Sequence, residues 1–195
     1  VEQKNYVKIP GDRIGVLIGP SGKTKRKLEE AFGVSLEVDS ESGSVEIMLA
    51  PGNKDVTRLL TIQNIVKGIG RGFNPKRAEK LAEEDHDMII IDLADYAGRS
   101  RNAMDRIKGR IIGKEGSSRE TLEELTETMI SVYGDTVAVI GKVDKLNTAR
   151  EALLMLIKGA FHKTVWNYLY AQRRKMKKEQ LEIWEGQPEP KVDTR

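Results

Sequence analysis

The heptapeptide IGPSGKT, residues 18–24, ends like a nucleotide-binding P-loop. A P-loop places four residues between its two glycines, so that successive backbone N–H groups wrap the phosphates. Gly22, Lys23 and Thr24 supply the closing triplet, but the position that should hold the first glycine is Leu17. The nearest upstream glycine is Gly19, which leaves only two residues between the pair. A loop that short cannot form the cradle. The run MIIID, ending at Asp92, looks like a strand delivering a magnesium-binding acid. Without the glycine it reads as a core strand followed by a surface carboxylate.

A repeat gives the two glycines another meaning. Shifting the chain by 94 residues lays IGVLIGPSGKTKRKLEEAFGVSLEV (14–38) over KGRIIGKEGSSRETLEELTETMISV (108–132). Gly15 falls on Gly109, Gly19 on Gly113, Gly22 on Gly116, Leu28 on Leu122 and Leu36 on Ile130. Ser117 and Ser118 stand where Lys23 and Thr24 stood. The repeat keeps the glycines and the apolar frame and drops the residues a nucleotide site would need.

Each copy has the same order of elements. Tyr6, Val7 and Ile9 suggest a first strand before Pro10-Gly11. Residues 14–18 are an apolar run into the turn. Leu28, Ala31 and Phe32 predict a short amphipathic helix over 23–32, ended by Gly33. Val34, Leu36 and Val38, then Val45, Ile47 and Leu49, alternate as strands around a polar turn. Leu59, Leu60, Val66 and Ile69 mark a longer helix. In the second copy the strands are 88–93, 129–133 and 136–140, the helices 102–112 and 117–125, and a final helix starts near Asp144. Residues 71–86 join the copies, with a short helix expected near Pro75.

Composition narrows the function. Of 195 residues, 32% are charged, with a formal charge of +3 and a pI near 9.0, so the distribution of charge matters more than its sum. Cysteine is absent, which removes disulfides and thiolate chemistry, and His86 and His162 are too far apart in sequence to suggest a metal site. The acids Glu83, Glu84, Asp85 and Asp87 cluster in the linker rather than converging from separate elements, so they read as a solvated turn. No catalytic, metal or cofactor-binding residues are expected. Without a long apolar run, the chain reads as soluble and cytoplasmic.

A G-x-x-G turn between two helices lets a phosphodiester approach the backbone where no Cβ intervenes, at a helix N-terminus whose N–H groups are free. Residues 19–33 carry four basic and two acidic side chains, net +2, with Lys23, Lys25, Arg26 and Lys27 crowding the turn. An apolar groove floored by Leu36 and Val38 would accept unstacked bases. Residues 113–127 carry two basic and five acidic side chains, net −3, and Glu115 lies in the turn itself. The second site is therefore expected to attract phosphate less strongly than the first.

The pair of motifs VLIGPSGK and RIIGKEG, in a strand-helix-helix-strand-strand-helix order, resembles the KH-domain family of type I, which binds single-stranded RNA or DNA. The resemblance covers roughly residues 4–70 and 86–160. It implies an α+β fold: two tandem type I KH domains, each a three-stranded antiparallel sheet with helices on one face, plus a long C-terminal helix. The division expected is a first domain over 1–71, a linker over 72–86, a second domain over 87–160, a basic helical extension over 161–184 and a disordered tail over 185–195.

The tandem also resembles the archaeal and eukaryotic KH proteins of small-subunit ribosomal RNA processing. GPSG in the first copy favours the archaeal branch, because eukaryotic relatives have lost that turn. The resemblance implies binding to small-subunit (16S-type) ribosomal RNA near its 3′ end, alongside a PIN-domain endonuclease and other pre-ribosomal proteins. A KH adaptor of RNA decay or translation, and a scaffold with a degenerate RNA site, remain the alternatives. The RNA-binding residues expected are Gly19, Pro20, Ser21, Gly22, Lys23, Lys25, Arg26 and Lys27, with Arg110, Gly113, Lys114, Glu115, Gly116 and Arg119.

The last helix is expected to continue the stripe Leu146, Ala149, Leu153, Leu156, Ile157, Ala160 and Phe161 through Val165 and Leu169. Trp166, Tyr170, Arg173, Arg174 and Lys177 would then form a platform for RNA or a partner protein.

Overall fold

The computed structural model describes residues 4–53, 55–98 and 100–185. The first unit comprises β1 (Lys4–Lys8), α1 (Gly11–Ile18), a 3₁₀ turn (Pro20–Gly22), α2 (Lys23–Phe32), β2 (Val34–Val38), β3 (Ser44–Leu49) and α3 (Val56–Gly70). A linker follows, with α4 (Pro75–Ala78) running into a 3₁₀ turn (Glu79–Ala82). The second unit comprises β4 (His86–Asp92), α5 (Ala94–Ala97), α6 (Arg101–Ile112), a 3₁₀ turn (Lys114–Gly116), α7 (Ser117–Thr126), β5 (Met129–Tyr133), β6 (Thr136–Lys142) and α8 (Val143–Ile157). Then comes α9 (His162–Glu185). Of the tail expected over 185–195, only Glu185 is described, at the end of α9; the rest lies outside the described residues.

Each sheet is antiparallel, in the order β1-β3-β2 and β4-β6-β5. Register places Val7 opposite Val45 and Leu36 opposite Ile47 in the first sheet, and Ile89 and Ile130 on either side of Val139 in the second. Alternation does what it should in β3: Val45 and Ile47 are buried, while Glu46 and Met48 keep partial access to solvent on the other face. Ala31 and Leu60, expected on buried stripes, are exposed instead.

Strand β6 departs from alternation. Residues 136–141 are all buried, which requires both faces of the second sheet to be covered. Val137 and Val139 lie in the core formed with α6, α7 and α8, whereas Ala138 and Ile140 join the core of the first unit. The back of the second sheet therefore rests on α3 and the linker. Gly68 of α3 marks this contact: a Cβ there would lie 3.4 Å from Ala78 Cβ, 3.5 Å from Leu81 Cδ1 and 3.6 Å from Ile140 Cδ1, ordinary van der Waals distances to the linker and to β6. Polar contacts tie the rim. Ser131 Oγ donates to the Arg71 carbonyl (2.9 Å), Tyr133 donates to Asp12 through its hydroxyl, and the Arg13 guanidinium lies 5.6 Å from the centre of the Tyr133 ring.

The final helix is two helices. Ala160 N–H donates to the Met155 carbonyl (2.9 Å) and Gly159 N–H to the Leu156 carbonyl (3.1 Å), which is the Schellman pattern, with Gly159 at φ +98°. An L side chain disfavours that φ, so the glycine ends α8 where the apolar periodicity alone ran on. The break turns Phe161 out to 81% exposure rather than into the stripe, while Val165 and Leu169 of α9 are fully buried in the second core.

Candidate nucleic-acid interface

The two G-x-x-G turns are built alike, dihedral by dihedral. Gly19 has φ 71°, ψ 175° and Gly113 has φ 74°, ψ 178°, a region that essentially only glycine occupies. Ser21 and Glu115 follow at φ 52° and 55°, and Gly22 and Gly116 at φ 74° and 86°. A Cβ at Gly19 would fall 2.1 Å from Thr24 Oγ1, and one at Gly113 would fall 2.7 Å from Ser118 Cβ. Thr24 and Ser118 thus close over the first glycine of each turn. The alignment hid this shared job because the residue types differ; a small hydroxyl residue five positions after the first glycine was the available signal.

Each turn opens directly into a helix, α2 or α7, whose N-cap is a left-handed glycine with no side-chain hydrogen bond. By contrast Asp55, Asn74 and Ser100 cap α3, α4 and α6 through Thr57, Arg77 and Ala103 N–H. An uncapped first turn leaves N–H donors and the positive end of the helix dipole for an anion. Pro20, Ser21, Lys114 and Glu115 are exposed at the tips.

The basic residues are less free than their sequence positions suggest. Lys27 Nζ pairs with Glu79 of the linker at 2.6 Å, and Lys25 pairs with Glu29 at 3.7 Å. Arg26 folds back on the turn, donating to the Ser21 carbonyl (2.6 Å) and the Gly22 carbonyl (3.4 Å). Lys23, exposed, has no ion-pair partner among the described residues, and it lines a hollow of about 430 Å³ with Thr24, Lys27 and the start of the linker. The net +2 of the first turn is therefore partly spent inside the protein.

In the second unit Arg110 is spent as well. Its Nε donates to the Leu156 carbonyl (3.1 Å) and its Nη2 to the Ala160 carbonyl, so it closes the C-terminus of α8. His162 Nε2 donates to the Arg110 carbonyl (2.8 Å), which fastens the α8–α9 bend to the last turn of α6. Arg119 lies against Gly116 with Nε buried and lacking a partner, while Lys114 and Glu115 are exposed and unpaired among the described residues.

The apolar surface beside the turns also differs from expectation. Leu36 is fully buried, as is its counterpart Ile130, so neither can floor an open groove. Partial access to solvent belongs to Val16, Ile18 and Val38 in the first unit, and to Ile112 and Val132 in the second. Of the two residues expected to floor the groove, Val38 keeps access and Leu36 does not, because Leu36 goes to the centre of the core.

On α9, Trp166, Tyr170, Arg173 and Lys177 follow one flank at helical spacing. Trp166 packs on the second core and stacks obliquely on His162 (5.7 Å between ring centres), whereas Tyr170 is half exposed. Arg173 pairs with Glu127 at 3.5 Å, and Lys145 reaches the same carboxylate at 3.4 Å. Arg174 and Lys177 line the adjoining hollow of about 460 Å³ without ion pairs among the described residues.

Among the described residues no group of three or more potential ligands is placed to hold a metal ion, and no helix is long and apolar enough to cross a membrane. The acidic linker residues Glu83, Glu84 and Asp85, and Asp87 at the start of β4, are exposed. Lys80, donating at 2.6 Å, holds the Glu83 carboxyl below its ordinary range.

Comparison with known proteins agrees with this geometry. The KH-domain family matches residues 4–64, and the eukaryotic-type KH domain (type I) matches residues 87–174, which takes in the first half of α9. A KH domain-containing protein of Methanocaldococcus jannaschii is 44% identical over 91% of this chain and 78% of its own length. The pre-rRNA-processing protein pno1 of Emericella nidulans is 26% identical over 88% of this chain and 67% of its own length. A chain in the crystal structure of the a/eIF2alpha–aDim2p–rRNA complex from Pyrococcus horikoshii superposes with a TM-score of 0.84 at 39% identity, over 89% of this chain and 96% of that one. Two identically built G-x-x-G turns, two β1-β3-β2-type sheets and these matches place the chain in the KH-domain family, as a tandem type I member homologous to the Pno1/Dim2p-type pre-rRNA-processing proteins of archaea and eukaryotes.

Proposed function

We propose that this protein is a non-catalytic, single-stranded RNA-binding factor of small-subunit ribosome biogenesis, whose target is 16S-type ribosomal RNA near its 3′ end. The observation that carries the reading is the pair of G-x-x-G turns with matching backbone dihedrals, each leading into an uncapped helix. A loop of this kind clamps about four nucleotides of single strand by the backbone, while splayed bases meet the apolar surface beside it. The clamps would be Gly19, Pro20, Ser21 and Gly22 with Lys23, Lys25, Arg26 and Lys27, and Gly113, Lys114, Glu115 and Gly116 with Arg119. Arg110 serves the second clamp by fixing α6 to the α8–α9 bend rather than by touching RNA. The P. horikoshii complex and the relatives' names support a ribosomal target. The exposed flank of α9 would supply protein contacts, a PIN-domain endonuclease among them, in the cytoplasm.

The strict geometry of the second turn argues against a degenerate scaffold, since Glu115 occupies a left-handed conformation that nothing but the turn requires. The test is a titration of the intact chain with single-stranded segments tiling the 3′ region of small-subunit ribosomal RNA, each beside its duplex. Preference for one segment as a single strand is expected; equal affinity for duplex and single strand would refute the clamp.

A further inference from the structure

A cleft of about 720 Å³ opens at the junction of the two units, and no residue of either G-x-x-G turn lines it. Its walls are β1 and the residues after it, the C-terminal half of α3 from Gln63 to Gly70 with Arg71, and Ile90 of β4. Both strands are sheet edges, β1 opposite β2 and β4 opposite β5, and it is β2 and β5 that follow the clamp helices. The cleft is therefore not a continuation of either clamp.

Its chemistry has one sign. Lys8, Lys67 and Arg71 line it, and among the described residues no carboxylate does. Lys8 and Lys67 are exposed and have no ion-pair partner among the described residues, while Arg71 Nη1 has only a long contact with the Thr136 hydroxyl (3.5 Å). This contrasts with the first clamp, where Lys25 and Lys27 are both paired. Beside the cations stand Tyr6, 61% exposed, and Ile90, 41% exposed. Three cations with no ion-pair partner among the described residues, beside an exposed aromatic ring tethered through its hydroxyl to Glu46, suit a phosphodiester backbone carrying bases that stack.

We propose that this cleft is a third RNA contact, holding phosphates on Lys8, Lys67 and Arg71 and a base on Tyr6, from RNA that lies outside the segments gripped by the two turns. The proposal rests on the RNA-binding reading above and adds a length requirement to it. A hexanucleotide fills a clamp; only a longer RNA reaches the far edge of the sheets as well.

The test uses the intact chain and two probes, a single-stranded hexanucleotide and the same sequence extended to about 20 nucleotides. Lys8→Gln with Lys67→Gln removes two phosphate contacts at exposed positions, so the fold is unaffected. Each contact contributes about 0.7 to the salt slope on single strands, so the double variant should flatten the slope on the long probe by about 1.4 and weaken its binding roughly 25-fold at about 0.1 M salt. Tyr6→Ala should cost the long probe about fivefold or more. The hexanucleotide should be unaffected by all three changes.

Equal losses on both probes would place these residues in a clamp and overturn the proposal. No loss on either would also overturn it, and the RNA-binding reading would stand because the hexanucleotide still binds. If the unmodified chain ignores the hexanucleotide but the long probe depends on Lys8 and Lys67, the clamp reading fails and the cleft is supported. An acidic peptide that displaces the long probe as well as RNA does would show a general polyanion site, and would overturn the assignment to RNA.

Discussion

Replacing Pro20 and Ser21 together by aspartate tests the first clamp where its geometry is best defined. Both residues are exposed, and Ser21 sits at φ 52°, ψ 29°, a conformation that aspartate tolerates better than most side chains. Loss of the proline should cost the fold less than about 1 kcal/mol, through the entropy of the unfolded chain. A phosphate bound at the turn would lie roughly 7 Å from each new carboxylate. At that distance like charges repel by about 0.6 kcal/mol in water and about four times that where the effective dielectric falls to about 20, before salt screening, and this fully exposed turn lies near the water limit. With two carboxylates each facing two phosphates, the expected loss is about 1.5–3 kcal/mol, or roughly tenfold to a hundredfold in Kd. The Arg26 guanidinium, 2.6 Å from the Ser21 carbonyl, would turn to the new acids and add to the loss. Fluorescence anisotropy with a labelled hexanucleotide, across a range of salt, reads the effect, and circular dichroism checks the fold. Because the penalty is coulombic, it must shrink as salt rises. Unchanged affinity at low salt, or a loss independent of salt, would refute the reasoning. Glu115→Ser supplies the mirror experiment: it removes a carboxylate that the second turn already carries, and should tighten binding there.

Glu79→Ala frees Lys27 from its 2.6 Å partner and should strengthen binding of single strands by about fivefold at about 0.1 M salt, steepening the salt slope by about 0.7 in the same titrations. Arg110→Ala strips two donors from the carbonyls that end α8, and should lower the unfolding free energy by about 1–3 kcal/mol in chemical denaturation while leaving hexanucleotide affinity within about twofold. Burial, and then its hydrogen bond to Asp12, raise the Tyr133 pKa above its ordinary value. The stability from that contact is therefore fully present below about pH 10, where unfolded tyrosine titrates, and is lost as pH climbs through the folded value. Tyr133→Phe should remove this alkaline dependence and cost about 1 kcal/mol at neutral pH, as thermal unfolding at several pH values would reveal.

The elements were legible because their residues face demands that any fold makes. Gly19 and Gly113 occupy backbone conformations closed to side chains, and Val45 and Ile47 alternate because one face of their sheet meets solvent. What escaped depends on distance in space. The partner that quiets Lys27 is Glu79, in the linker, and the pair bridging that linker to α7 is Arg77 and Glu123 at 2.6 Å. Neither is visible in a count of charges along one helix. Arg110 looked like a cation beside a turn, since nothing local says that α8 ends against it. The unbroken apolar run of β6 did carry a signal. A strand with no polar face needs two covers, and Ala138 and Ile140 already implied that the units stack.

A stack of two has two ends, and this one is closed at both. The contact between the units is heterologous, with a helix-and-linker surface on one and the back of a sheet on the other, which is the kind of contact that propagates into open filaments when nothing stops it. The linker packs on α3 and reaches α2 through Glu79; α9 packs on α8 and reaches the end of α7 through Arg173 and Glu127. Where a third sheet would dock, α9 presents Arg174, Lys175, Lys177 and Lys178. At the other end the back of the first sheet offers Lys4 bonded to Glu46, together with Glu37, instead of an apolar strand like β6. These are the polar end-caps of a repeat array reduced to its shortest length. Growth in either direction would meet charge on the described residues, which opposes extension of the stack.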